Sequence, residues 1–435
     1  MPLMRHRNHS VYHASDLSFS ALLFLIAAFW ILTTLAIVSG TGWFKWVGFD
    51  FGCFWSATKA FLRTGPASAY DMTIVHARGV ELARISGYAT PDTFVTGVSP
   101  YPPIYFLLIA PFTLLPPIFA FVLWSIINLG LSAWVSLRLI ADRPAKRTQL
   151  ALAALMAFPV MEGLVLGQPT GFLILSMYLC WRSLVQKREF RAGIWAGLLV
   201  LKPQYVVLLA LVMLIKRRWD FMRGFIAVGA VLGIGSLALL GISGTVSYID
   251  LLRNISSNAS TIAGIHPGDM LSFNALVLNL LPGLTSSASS FVTLTLDLAA
   301  VVFVVWVWRG CWQEDPEILT HRILVTMIAT LLISHHNYVH GAALLVVPLL
   351  AIRYYRPWSA RMRAILAASL VLPPLLFLMS LANHWDWWIP VSQSVLLLML
   401  ATSVLSLVEG RLAIQRTSFR LPQRLLKAPL SLLNR

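Results

Sequence analysis

Asp50 stands in Gly48-Phe49-Asp50-Phe51-Gly52, just after the first long apolar run of this 435-residue chain. A carboxylate among aromatic rings at a membrane boundary is partly desolvated, which raises its proton affinity and suits it to act as a general base. Aspartate is equally suited to cap a helix beginning at Phe51, and the two roles are compatible. Lys202 lies in Leu201-Lys202-Pro203-Gln204, between two short apolar runs. An ammonium held there attracts a phosphate or carboxylate; a lysine snorkelling from the top of a hairpin is the plain alternative. His335, His336 and His340 form His-His-Asn-Tyr-Val-His. His336 and His340, four residues apart, would share a helix face, which is compatible with a metal. The second position of the zinc-protease pattern holds no Glu, however. A histidine acting as base, or as donor to a phosphate, fits better. His335 and His336 therefore join Asp50 as catalytic candidates. Gln168 can donate to a sugar hydroxyl or simply cap the turn Gly167-Gln168-Pro169. Tyr101, Gln204, Tyr338 and Asp71 complete the substrate-binding candidates, although a turn after Gly65-Pro66 also explains Asp71. Glu162 is placed to pair with Lys202.

These residues belong to a chain that is 58% hydrophobic and 11% charged, where a soluble domain carries roughly 25% charged residues. Apolar runs recur along its whole length, at 17–39, 117–141, 149–164, 170–184, 191–201, 204–215, 224–243, 286–308, 321–334, 340–352, 363–382 and 390–408. Several fall short of the ~20 residues a straight span needs. The short ones come in pairs joined by polar punctuation: Gly167-Gln168-Pro169, Lys202-Pro203-Gln204 and His335-His336-Asn337. Such breaks are tolerated only where they line a cavity or sit in protein. The expectation is an all-α polytopic membrane protein of about 12 transmembrane helices.

The net charge of +16 fixes an orientation. With the N-terminus inside, all but seven of the 33 Lys and Arg residues fall on one side; the exceptions are Lys45, Lys59, Arg63, Arg78, Arg84, Lys202 and Arg253. The positive-inside rule then places both termini in the cytoplasm, the basic loops against anionic lipid and the polar breaks on the outer face. Nucleic acid is not an expected partner. The first run reads as a signal anchor; the expected location is a bacterial inner (cytoplasmic) membrane. Residues 1–409 are expected to form one transmembrane catalytic domain, and 410–435 a basic cytoplasmic tail. An outer loop, 40–116, is expected to hold amphipathic helices near 51–63 and 73–86, with Trp43, Phe44, Trp46, Phe51, Phe54 and Trp55 at headgroup depth. The stretch 102–115 would lie at the interface rather than cross it. A second outer segment is expected at 244–285. His384 and Asp386 also fall on the outer side. The isolated cysteines Cys53, Cys180 and Cys311 suggest no disulfide.

No phosphate-binding glycine loop, dinucleotide fingerprint or serine elbow is present, which argues against ATP-driven and nicotinamide chemistry. An ordered set of short motifs points elsewhere. It comprises Asp50-Phe51 with Phe54-Trp55 and Ala60, Tyr70-Asp71, Tyr101-Pro102-Pro103 with Pro111 and Leu114-Leu115-Pro116, and Gly167-Gln168. It continues with Leu201-Lys202-Pro203-Gln204 ahead of Lys216-Arg217-Arg218-Trp219, then Ser272-Phe273-Asn274 and His335-His336-Asn337-Tyr338. Over roughly 40–350 this set resembles glycosyltransferase family 87, polytopic enzymes of the GT-C fold. The resemblance implies a polyprenyl-phosphate sugar donor, usually of mannose, and transfer to a lipid or glycan acceptor on the non-cytoplasmic side. It implies a first-loop aspartate base at Asp50, a histidine near His335 or His336, and Lys202 facing the donor phosphate. No metal and no cofactor are expected. A transporter or flippase of a lipid-linked sugar is the alternative; it predicts inverted repeats and a midplane polar site, and neither is evident.

Overall fold

The computed structural model describes residues 7–94, 96–97, 99–140, 147–257, 266–310, 312, 315–355, 357–382 and 388–419. His384, Asp386, Cys311 and the tail from 420 onward lie outside them. The described residues form helices and connections, with no strand. In chain order the helices are α1 (Arg7–Thr41), α2 (Phe49–Thr64), α3 (Met72–Ile85), α4 (Ile104–Ile109), α5 (Pro117–Leu139), α6 (Arg147–Met156), α7 (Phe158–Leu166), α8 (Thr170–Val185) and α9 (Glu189–Leu198). They continue as α10 (Val207–Ile215), α11 (Trp219–Ser257), α12 (Phe273–Leu280), α13 (Ser286–Val307), α14 (Pro316–Ile333), α15 (Val346–Tyr355), α16 (Ala360–Ala382) and α17 (Trp388–Phe419). The chain is an all-α polytopic membrane protein.

Seven helices are long and apolar enough to cross a bilayer, or eight if α6 and α7, bent by 58° at their junction, count as one span. The bend falls at Ala157, just before Pro159, whose ring cannot continue the helix into the preceding turn. Four passes are shorter: α8, α9, α10, and the 3-10 turn Val339–Leu345 running into α15. The expected count of about twelve is reached only if these four short elements are counted with the seven or eight full-length ones. Residues facing outward from α1, α11 and α13, such as Phe24, Ile234 and Phe291, are exposed and apolar, as hydrocarbon contact demands.

One end of the bundle gathers the basic loops. Lys216 donates to the Gly310 carbonyl at 2.6 Å, and Arg218 pairs with Glu189 while covering the Trp312 ring. The other end holds the region 40–116. Its aromatics depart from the expected headgroup belt: Phe44, Phe51, Phe54 and Trp55 are buried, and of that set only Trp46 is exposed. They pack with Phe121 and Trp124 of α5 and with Tyr101 and Tyr105, forming a second core beside the main helical one. Burying a large ring recovers about 1.5–3 kcal/mol, so rings that can reach one another leave the interface. The segment 104–114 is a short helix continued by a 3-10 turn, shorter than a straight membrane span needs. Helix α11 runs past its apolar stretch through Gly241, which breaks it at φ 63°. Its continuation brings Tyr248 onto the Tyr70 ring at 4.7 Å and its hydroxyl to the Pro100 carbonyl at 3.2 Å.

Helices α5 and α8 approach closely enough for the Asn128 carboxamide to accept from the Gly171 backbone at 2.8 Å. A Gly171→Ala methyl would stand 2.2 Å from the Asn128 carbonyl oxygen, a backbone atom that cannot rotate away. The expected outcome is a loss of about 1–3 kcal/mol of stability, read as a lower melting temperature in detergent. An unchanged melting temperature would contradict this packing.

Candidate functional site

The site is built where three breaks in the helical chain meet. The first ends α7. Gly167 adopts φ +83°, closing the helix in the left-handed region. A Cβ here would lie 2.5 Å from the Phe51 Cβ, so only glycine permits this approach. Its carbonyl accepts from the Trp124 indole at 2.9 Å. The turn thus anchored projects Gln168 inward, where it is buried.

The second break separates α9 from α10. Lys202 sits between the 3-10 turns Leu199–Leu201 and Pro203–Tyr205. Its ammonium is buried, donates to Gln168 Oε1 at 2.7 Å and meets His340 Nε2 at 3.2 Å. The rings of Tyr101 and Tyr205 each lie 5.5 Å from it. Desolvation lowers its pKa to about 8, against the opposing pull of Asp50 and Glu162. Lysine only donates, so the Gln168 carbonyl must face it. The Gln168 amide then donates to Asp50 Oδ2 at 2.7 Å, and Gln168 Oε1 accepts a second bond from the Tyr101 hydroxyl at 3.0 Å. One carboxamide therefore carries an ammonium on one side and a carboxylate on the other.

Asp50 is the second residue of α2. The cap position belongs to Gly48, whose N–H donates to the Val165 carbonyl at 2.7 Å. Asp50 thus does not cap α2; its side chain turns to Gln168 instead. Burial raises its pKa above the ordinary carboxylate value, with the Gln168 bond and the Lys202 charge opposing. Tyr101 is fixed from both sides, stacked on Tyr105 at 4.1 Å and accepting at its carbonyl from the Tyr70 hydroxyl at 2.9 Å.

The third break is the histidine turn. Asn337 donates to the Leu331 carbonyl at 3.1 Å and the Leu271 carbonyl at 3.2 Å, tying the turn to the end of α14 and to the segment before α12. The expected shared helix face for His336 and His340 is absent. His336 precedes the 3-10 turn that carries His340, and the Tyr338 ring lies 5.8 Å from one and 6.2 Å from the other. His336 faces the cavity with its pKa lowered to about 4 by desolvation and by Lys202, so it is neutral near pH 7. Gln204 Nε2 donates to the His336 carbonyl at 3.3 Å. The Tyr338 hydroxyl accepts from the His266 backbone at 3.1 Å.

His335 also lines the cavity, with its Nε2 held by Asp297 Oδ2 at 2.8 Å, a bond that raises its pKa. Asp297 went unnoticed in the sequence, although it is the single acidic residue in its apolar run and so signalled a partner. Asp71 accepts from the backbone N–H groups of Thr73 and Ile74 at 2.9 and 3.2 Å; it caps α3 and is absent from the cavity wall. His340, Tyr205, Tyr248 and Asp269 join that wall.

The cavity so enclosed measures about 1380 Å³. Asp50, Tyr101, Glu162, Gln168, Lys202 and His336 form its polar part, and Trp46, Phe49, Phe94, Leu252 and Ile255 an apolar flank. A partly desolvated carboxylate can accept a proton, a caged ammonium can hold an anion, and the flank can accept hydrocarbon.

A model of glycosyltransferase family 87 matches residues 100–334, more than half of the chain. Tyr101, Glu162, Gln168, Lys202 and Gln204 lie inside the matched region; Asp50 and the histidine turn lie outside it. No curated protein and no solved structure matches.

Replacing Gln168 by Leu would strip the carbonyl from Lys202 and the amide from Asp50. The expected cost is roughly 2–4 kcal/mol, because hydrogen bonds to charged groups are lost in a buried setting. Adding Lys202→Met to Gln168→Leu is expected to cost less than the sum of the two single losses. Simple additivity in melting experiments would contradict the coupling.

Proposed function

The chain belongs to glycosyltransferase family 87, and we propose that it moves a sugar, mannose in the first instance, from a polyprenyl-phosphate donor to a lipid or glycan acceptor on the non-cytoplasmic face of a bacterial inner membrane. The observation that carries this reading is the pairing of Asp50 and Lys202 across one Gln168 carboxamide, inside a cavity with an apolar flank. A polyprenyl-phosphate sugar brings the complementary parts: an anionic phosphate, a hydroxyl-bearing ring and a long hydrocarbon tail. The loops bearing Glu189, Arg218 and Lys216 meet one another, helices α8 and α10 run between those loops and the breaks at Gln168 and Lys202, and the positive-inside rule assigns basic loops to the cytoplasm; all three support a non-cytoplasmic site.

In the proposed reaction the acceptor oxygen attacks the anomeric carbon as the bond from that carbon to the phosphate oxygen breaks. The configuration inverts, and polyprenyl phosphate departs with the bonding electron pair. The acceptor's proton passes to the Asp50 carboxylate, whose raised proton affinity favours the transfer. Lys202 offsets charge gathering on the departing phosphate, where fixed donors in a dry site act most strongly. Neutral His336 and the Tyr101 hydroxyl are hydrogen-bonding groups for phosphate or sugar. His335, held by Asp297, keeps the turn in place and is less suited to act as base than Asp50. Asp71 is left with a capping role.

Two results test this reading. Asp50→Asn, assayed in membranes with labelled polyprenyl-phosphate mannose and a glycolipid extract, is expected to lose about 10²–10⁴-fold in transfer at equal protein level; near wild-type transfer would remove Asp50 as the base. The pH profile of kcat/KM for the free enzyme is expected to fall above pH 8, where Lys202 gives up its charge, and Lys202→Arg is expected to move that limb upward because arginine stays protonated. An alkaline limb that ignores this substitution would detach Lys202 from the phosphate.

A further inference from the structure

Glu162 is 4% exposed and its carboxylate makes no side-chain hydrogen bond among the described residues; a backbone N–H, that of His340, faces it. It lies on α7, six residues before Gln168, and forms part of the cavity wall. Two side chains of the same wall already bind one another's partners: Lys202 binds Gln168 and meets His340, and Tyr101 binds Gln168. A buried acceptor left unpaired costs roughly 1–3 kcal/mol, and more when charged. A wall group of a cavity with spare acceptor positions is satisfied by what enters the cavity.

From this geometry we propose that Glu162 is the sugar-recognition residue, binding ring hydroxyls of the transferred sugar. The proposal rests on the donor reading above. Phosphate belongs at Lys202 and the acceptor at Asp50, and both are held on Gln168. The sugar ring that links them must then lie across Gln168, beside Glu162. A carboxylate has two oxygens with about four acceptor positions and can take two adjacent hydroxyls at once. Its natural ligand is the neutral, hydroxyl-bearing part of the donor. Its backbone is firmly placed as well. The adjacent Gly163 admits no side chain, since a Cβ there would meet the Thr170 hydroxyl at 2.1 Å and the His340 Cβ at 3.3 Å. The carboxylate is therefore preorganised, and binding spends little on ordering it.

The test compares the purified full-length protein with its Glu162→Gln variant in binding two lipids, polyprenyl-phosphate mannose and polyprenyl phosphate. In the wild type the sugar is expected to tighten binding about tenfold or more, the gain from hydrogen bonds to a charged acceptor. In Glu162→Gln that gain is expected to shrink several-fold, while the sugar-free lipid binds as in the wild type. Unchanged binding of the sugar-free lipid also certifies the variant's fold. Monodeoxy-mannosyl donors sharpen the result: one of them is expected to bind wild type and variant alike. A sugar gain that survives Glu162→Gln intact overturns the assignment and leaves the donor reading standing. Failure of the wild type to bind either lipid overturns both.

Discussion

Backbone and side chains that leave the helical ladder at membrane depth must find their partners within the protein, because hydrocarbon offers none. Here three such breaks satisfy one another. Gln168 comes from the turn after α7, Lys202 from the turn between α9 and α10, and His340 from the turn after α14; their polar atoms join in one chain. Asp50 enters that chain from outside the main bundle, through the same carboxamide. A buried ammonium alone would cost several kcal/mol of desolvation. Opposed by a carboxylate through a shared amide, and flanked by two tyrosine rings, it can be held in place. The geometry of the site and the stability of this end of the molecule are therefore one problem with one solution.

The rest of the fold serves this arrangement. Helices α8, α9 and α10 are short because their polar ends must stop where the chain of hydrogen bonds lies, not at the far edge of the membrane. The aromatic core around α2 holds Asp50 at its depth: Phe51 packs on Phe121 and Trp124 while the Gly48 backbone is tied to Val165. Past Gly241, the last part of α11 supplies Tyr248, Leu252 and Ile255 to the cavity wall. Rigid donors and acceptors thus surround a space large enough for a lipid-linked sugar, and Glu162 lines that space without a side-chain partner among the described residues.

The helical, polytopic character of the chain was legible because apolar runs and basic loops alternate with a regularity that only a membrane imposes. The grouping of Gln168, Lys202 and the histidine turn on one face was legible for the same reason, since their breaks all fall at alternate ends of the runs. Individual pairings were not legible. Sequence offered Asp50 a capping role that Gly48 occupies, and offered His336 and His340 a common helix face that a 3-10 turn denies. The partner of His335 lies 38 residues earlier, at Asp297, and only folding brings them together. The aromatics of the first loop read as an interfacial belt because their mutual packing depends on contacts with α5, which sequence periodicity does not encode.

In the proposed reaction, donor phosphate and reacting carbon sit between Lys202 and Asp50. An experimental structure of the Asp50→Asn variant, trapped with polyprenyl-phosphate mannose, tests it most directly. The account predicts phosphate oxygens within hydrogen-bonding reach of Lys202 Nζ, the anomeric carbon turned toward residue 50, and the prenyl chain along the apolar flank. A donor whose phosphate lies away from Lys202, or whose sugar turns its back on residue 50, would contradict it.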